Sequence, residues 1–381
     1  MAMSALLDRF NSPEPKKILS LDGGGIRGAL TLGYLKKMED ILKAKFPEHP
    51  DFRLSDYFDL IGGTSTGSII AASLAIGRTV DEITKQYMDL GGKIFGEKRN
   101  WWNPMETMKW LKANYSYKAM EDNLKAAFGD ITLGSEEIKT GLCIVAKRAD
   151  TNSVWPLINH PGGKFFDTDL GKNKNIPLWQ AVRASSAAPT YFAPQMMEVV
   201  EGQKAAFVDG GLSMANNPSL TLLMIATLKG FPFHWPMSED KLLLVSVGTG
   251  NSVFKKYVKE IDEATMLTWA AQIPDMLMQD ASWQNRMILQ WLSRSPTADY
   301  LDMEIETMDG DLISGQPLLS YLRYNFRITM EDLNELGLDK NFTEEDVKSI
   351  KDISNASNRE LLYTIGLKAS HVIKAEHFDK F

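Results

Sequence analysis

A serine hydroxyl can attack an ester only where the chain lifts it clear of its neighbours, and GTSTG at residues 63–67 has the spacing for that. The pentapeptide matches G-x-S-x-G, a strand-to-helix turn that raises its serine, here Ser65, to the top of a parallel sheet. So sharp a turn leaves no room for flanking side chains, and Gly63 and Gly67 supply the space. The helix that follows would aim its positive end at Ser65, which favours the oxyanion formed on attack. DGGGIRG at residues 22–28 is the second candidate. Its consecutive glycines, Gly23, Gly24 and Gly25, with Gly28 closing the motif, would let the backbone N–H groups around Ile26 converge on one oxygen. Arg27 adds a fixed positive charge. Read as G-x-G-x-x-G, the same stretch is a dinucleotide loop. Asp22 would then set negative charge beside the pyrophosphate, and no second strand ends in an acid at the expected distance.

A nucleophilic serine needs a base, and histidine is the usual one. The five histidines offer little. His49 and His160 precede prolines, His234 sits in FPFHWP, and His371 and His377 lie in a polar C-terminal stretch. The other candidate is Asp209 in AAFVDGG, where an apolar strand ends in an acid followed by Gly210 and Gly211. The spacing puts it at the carboxyl edge of a sheet, where α/β sites form. A carboxylate of ordinary pKa is a poor match for a serine hydroxyl, so Asp209 can serve only if desolvated and held within hydrogen-bond reach. Two other readings stay open: a Ser–Asp–His enzyme using Ser65, Asp209 and His371, and a lipid- or nucleotide-binding regulatory protein without catalysis.

These loops need a sheet that brings them to one edge. Ile18–Leu21 is an apolar run before the first glycine motif, and ALTLGYLKKMEDILKAKF after it is helical in period. YFDLIGG, TST and GSIIAASLAIG repeat the plan as strand, turn and helix. That order predicts an α/β fold whose parallel strands are joined by right-handed crossovers. Further strands are expected at GLCIVAKR, AAFVDGG, KLLLVSVGTG and YLRYNFRI, and helices over 80–128, over Thr265–Leu292 with a break at Pro274, and through the last forty residues. Residues 1–16, polar and with Pro13 and Pro15, are expected as a flexible arm. Residues 17–381 then form a single domain, with a core over 17–250 and a helical elaboration over 251–381.

The totals narrow the function. The chain has 381 residues, 44% of them apolar and 24% charged, as a globular protein with a sizeable core requires. A net charge of −7 argues against a nucleic-acid binder and against membrane docking by global charge. One cysteine, Cys143, allows no internal disulfide. Residues 60–77 carry no charge, but nine of the eighteen are Gly, Ser or Thr, so no membrane span is expected. The N-terminus lacks the pattern of a signal peptide, which points to the cytoplasm. No metal motif occurs, and no cofactor is expected.

DGGGIRG, GTSTG and DGG, in that order, resemble the patatin-like phospholipase family, as do RASSAAPTYFAP at 183–194 and VSVGTG at 245–250. The resemblance implies a three-layer α/β/α fold with a mostly parallel central sheet. It further implies a Ser–Asp dyad without histidine, with Ser65 as nucleophile, Asp209 as base and the Gly24–Arg27 segment as oxyanion site. The implied reaction is metal-independent cleavage of fatty acyl esters of phospholipids or related glycerolipids through an acyl-enzyme. Some bacterial relatives of this size respond to cyclic nucleotides, so a small-molecule activator of that class is a possible partner. A peripheral membrane surface is the other expected partner, since KIFGEKRNWWNPMETMKWLK at 93–112 interleaves Lys and Arg with Trp101, Trp102 and Trp110. The Met- and Trp-rich Thr265–Leu292 segment could line an acyl channel.

Overall fold

The fold is that of a computed structural model describing residues 3–94, 114–189, 191–200, 202–252 and 258–381. Its strands are β1 (Lys16–Leu21), β2 (Leu60–Thr64), β3 (Gly141–Arg148), β4 (Ser153–Ile158), β5 (Gln195–Val200), β6 (Gln203–Asp209), β7 (Leu242–Val247), β8 (Asn251–Ser252), β9 (Ser320–Tyr324) and β10 (Arg327–Ile328). The helices through the core are α1 (Met3–Asn11), α2 (Gly28–Lys45), α3 (Leu54–Tyr57), α4 (Thr66–Ala75), α5 (Val80–Ile94), α6 (Asn114–Phe128), α7 (Leu178–Ser185) and α8 (Ser219–Thr227). They are followed by α9 (Val258–Asp262), α10 (Met266–Trp291), α11 (Met330–Glu335), α12 (Glu344–Lys351) and α13 (Arg359–Ala369).

The central sheet runs β5-β6-β3-β2-β1-β7-β9, with β4 also paired to β3. Neighbours from β3 through β9 are parallel, whereas β4, β5 and β6 join antiparallel. The apolar runs of the parallel strands are explained by burial on both faces. Successive residues alternate between two cores. Leu19, Leu21, Ile61, Ile144, Val245 and Val247 face one, with α2, α4, α7 and α13, while Ile18, Leu60, Cys143, Val145 and Leu244 face the other, with α1, α8 and the end of α10. Helix, sheet and helix make the expected three layers.

Two local expectations are overturned. Residues 3–11 are a helix, not a loose arm, and Lys16 already belongs to β1. Leu6 and Phe10, four apart and so on one face of α1, are 3% and 2% exposed. Phe10 stacks on His160 at 4.8 Å and its carbonyl accepts from Trp235 Nε1 at 3.0 Å. Arg9 donates to Asp59 and to the Ser55 carbonyl. The two prolines lie beyond the helix and leave it intact. Likewise α10 runs unbroken through Pro274, which removes one N–H donor without ending the helix. Among the described residues no helix is long and apolar enough to cross a membrane.

Candidate active site

Ser65 stands between β2 and α4 with φ 54° and ψ −123°, a strained conformation for a residue with a side chain. The surroundings hold it there. A Cβ on Gly63 would lie 2.2 Å from the Gly67 carbonyl oxygen, and one on Gly67 would lie 2.3 Å from that of Leu21, so both positions exclude larger residues. The Ser65 N–H donates to Ser185 Oγ at 2.9 Å, and that hydroxyl donates in turn to the Val145 carbonyl.

Asp209 reaches the same point from the opposite direction. β6 runs antiparallel to β3, so Asp209 is not at the carboxyl edge of a parallel strand, as its AAFVDGG setting suggests; its strand enters from beyond that edge. β4 occupies one edge of β3 over Cys143–Arg148. The other edge is shared. β2 pairs there up to Thr64 opposite Val145, and β6 ends with Asp209 opposite Ala146. Adjacent rungs of β3 therefore bring the C-terminal ends of β2 and β6 together. Ser65 Oγ donates to Asp209 Oδ2 at 2.6 Å, and Gly211 N–H donates to Oδ1 at 2.7 Å. Burial pushes the Asp209 carboxyl up to about 6. The hydrogen bonds from Ser65 and Gly211, and the nearby charge of Arg183, oppose the rise.

The glycine motif lies against this pair, since a Cβ on Gly23 would sit 3.3 Å from Ser65 Cβ. Its carbonyls are anchored one by one. Gly23 O accepts from Thr249 Oγ1 at 2.9 Å, Gly24 O from Arg27 N at 3.2 Å, and Gly25 O from the Tyr87 hydroxyl at 2.6 Å. In a trans peptide the N–H points opposite to the carbonyl. The N–H groups of Gly24 and Gly25 are thus turned away from those anchors, and they have no acceptor among the described residues. The expected oxyanion segment narrows accordingly. Ile26 N–H is taken by the Ile353 carbonyl at 2.9 Å and Arg27 N–H by Gly24, so neither backbone donor is available. The Arg27 guanidinium is buried, and that burial lowers its pKa against the pull of Asp275 and Asp22. Gly28 closes the motif at the start of α2, 2.6 Å from Thr66 Oγ1 by its notional Cβ. At the head of α4 the Thr66 and Gly67 N–H groups also lack an acceptor among the described residues.

Asp22 is clamped by Arg323 of β9 through paired bonds of 3.0 and 2.6 Å, which gives it a structural tie rather than a place beside a pyrophosphate. No histidine bonds to Ser65 or Asp209. His160 is packed between Phe10 and Phe233, His377 bonds Tyr324, and His371 caps the Lys368 carbonyl at the surface. No group of His, Cys, Asp and Glu among the described residues could hold a metal ion. Trp101, Trp102 and Trp110, with most of their segment, lie outside the described residues.

The sequence reasoning missed Ser185, Arg183 and Tyr87. Ser185 and Arg183 stand in the Ala/Ser-rich stretch already singled out, and the only signal for Arg183 was a charge in a run of small residues. Tyr87 carried none. Taken together, the site can remove a proton from one hydroxyl and hold a negative oxygen against two free peptide N–H groups and a helix N-terminus.

Residues 19–223, more than half of the chain, match the family described as "Patatin-like phospholipase". A "cGAMP-activated phospholipase" of Escherichia coli (strain TW11681) is 32% identical over 240 residues, which span 61% of this chain and 62% of that protein, just under two thirds of its length. "Patatin-2-Kuras 3" of Solanum tuberosum is 27% identical over 316 residues, 77% of each chain. "Patatin-17" of Solanum cardiophyllum is 28% identical over 272 residues, 67% of this chain and 65% of that one.

Proposed function

Since this chain belongs to the patatin-like phospholipase family, a family of lipid acyl hydrolases, we propose that it cleaves fatty acyl esters of phospholipids or related glycerolipids with Ser65 as nucleophile and Asp209 as base. The observation that carries the reading is the 2.6 Å hydrogen bond from Ser65 to a buried carboxylate that titrates at about 6. Asp209 takes the Ser65 proton as Oγ attacks the acyl carbonyl. The oxyanion settles against the Gly24 and Gly25 N–H groups and the head of α4. Collapse of the tetrahedral adduct breaks the ester bond, and Asp209 returns its proton to the leaving alcohol. Water, deprotonated by the same carboxylate, then hydrolyses the acyl-enzyme and restores Ser65.

The protein acts peripherally on lipid surfaces, a reading supported by exposed apolar residues beside the site: Leu212 and Met214 follow Asp209 within five positions and are 43% and 68% exposed. The likeness to the cGAMP-activated phospholipase of Escherichia coli makes cGAMP the first activator to try.

The test is fatty-acid release from phospholipid vesicles by purified wild type, Ser65→Ala and Asp209→Asn, each with and without cGAMP. Wild type releases fatty acid, and each variant loses about 10³-fold or more. Asp209→Asn turning over at the wild-type rate would remove the dyad. Equal wild-type rates with and without cGAMP would remove the activator.

A further inference from the structure

One hydroxyl outside both motifs joins them. Tyr87 lies on α5, 6% exposed, and its oxygen contacts three residues of the site. It is 2.6 Å from the Gly25 carbonyl and 2.8 Å from Thr66 Oγ1, and a Cβ on Gly28 would lie 2.7 Å from it. A phenol has one proton to give. The Gly25 carbonyl can only accept, so the Tyr87 proton goes there and the Thr66 hydroxyl must donate to Tyr87. The oxygen thus gives one hydrogen bond and receives one.

The partners decide the consequence. Gly25 O and Ile26 N–H belong to one planar peptide, whose carbonyl is held by Tyr87 and whose N–H is held by Ile353 O at 2.9 Å. That double grip fixes Gly25 at φ +57°, where a Cβ would lie 2.4 Å from Ile353 O. Thr66 is the residue after the nucleophile and opens α4. Tyr87 therefore spans the two sets of free N–H groups, those of Gly24 and Gly25 on one side and that of Thr66 on the other.

We propose that Tyr87 is a positioning residue that sets the spacing between the two halves of the oxyanion site, with Thr66 Oγ1 as its necessary partner. The inference rests on Ser65 being the nucleophile. Tyr87 touches no reacting atom. Its hydroxyl keeps the donors where the tetrahedral oxygen forms, so its removal weakens the transition state more than substrate binding.

The experiment uses the full chain and a soluble short-chain p-nitrophenyl ester, with an alkyl trifluoromethyl ketone as mimic of the tetrahedral adduct. Tyr87→Phe is expected to lower kcat about 10- to 100-fold with KM within about twofold, and to weaken the ketone by the same factor as kcat/KM. Thr66→Val should behave alike, Thr66→Ser should stay near the wild-type rate, and the Tyr87→Phe/Thr66→Val double variant should lose no more than the worse single one. A kcat for Tyr87→Phe within twofold of wild type overturns the proposal, as does a fall in kcat that leaves ketone affinity unchanged. Should Tyr87→Phe fail to fold, the contrast of Thr66→Val with Thr66→Ser decides the matter, and equal rates for those two overturn it. Turnover by Ser65→Ala would instead defeat the reading of Ser65 itself, which keeps the two failures apart.

Discussion

The proton that passes from Ser65 to Asp209 also ties activity to pH. With Asp209 titrating at about 6, the carboxylate is protonated on the acid side. We expect kcat/KM toward a soluble ester to fall as pH drops through about 6, and a rate flat down to pH 4.5 would refute the assignment of the base. The sign for stability is the reverse of the usual carboxylate case. The folded state holds its proton more tightly than the unfolded chain, so stability contributed by this group falls as pH rises between about 4 and 6 and stays lower above. Keeping Asp209 charged at pH 8 costs roughly 3 kcal/mol. Asp209→Asn should therefore resist urea better than wild type at pH 8, with the gain shrinking toward pH 5, while losing its activity. Comparing the two proteins isolates Asp209 from His160, which burial lowers to about 4 and whose stabilising effect is lost over the same acid range. The identity of these residues was legible because glycines flank both Ser65 and Asp209 for steric reasons that any sequence displays. The spent N–H of Ile26 was not, because its acceptor, Ile353, stands more than three hundred positions away.

The elements tell a similar story about range. α1 was hidden by Pro13 and Pro15, yet Leu6 and Phe10 already had the four-residue spacing of a buried face. Nine residues form too short a helix to announce itself by periodicity, and its stability comes from what it covers. We expect Phe10→Ala to destabilise the protein by about 3–5 kcal/mol in denaturant unfolding, since it opens the contact with His160, Phe233 and Trp235. A loss below about 1 kcal/mol would mean that α1 is not docked as described. The βαβ order of the first two units could be read directly from alternating strand and helix patterns. The direction of β6 could not, because a strand's own alternation is the same whichever way its neighbour runs.

For the molecule as a whole, we propose that the described residues unfold as one unit. β9 extends the sheet beyond β7, whose residues are all buried, and Arg323 on β9 holds Asp22 at the mouth of the glycine motif. α13 crosses α2 so closely that a Cβ on Gly366 would lie 2.2 Å from the Leu30 carbonyl. Gly366→Ala should thus destabilise the fold by about 1–3 kcal/mol, as overpacking does. A chain ending at residue 250 should not give a folded product in a soluble-expression assay, and a sharp thermal transition from it would show an independent core. The shared edge of β3 has a consequence for how such a protein can change. Nucleophile and base are teeth on one zip, set by which rungs of β3 their strands occupy rather than by the length of any turn around them. Insertions before β6, whose first residue lies six positions ahead of Asp209, leave the pair in register. A single residue inserted inside β6 would swing the carboxylate to the far face of the sheet, so the chain tolerates added length outside these strands and none within them.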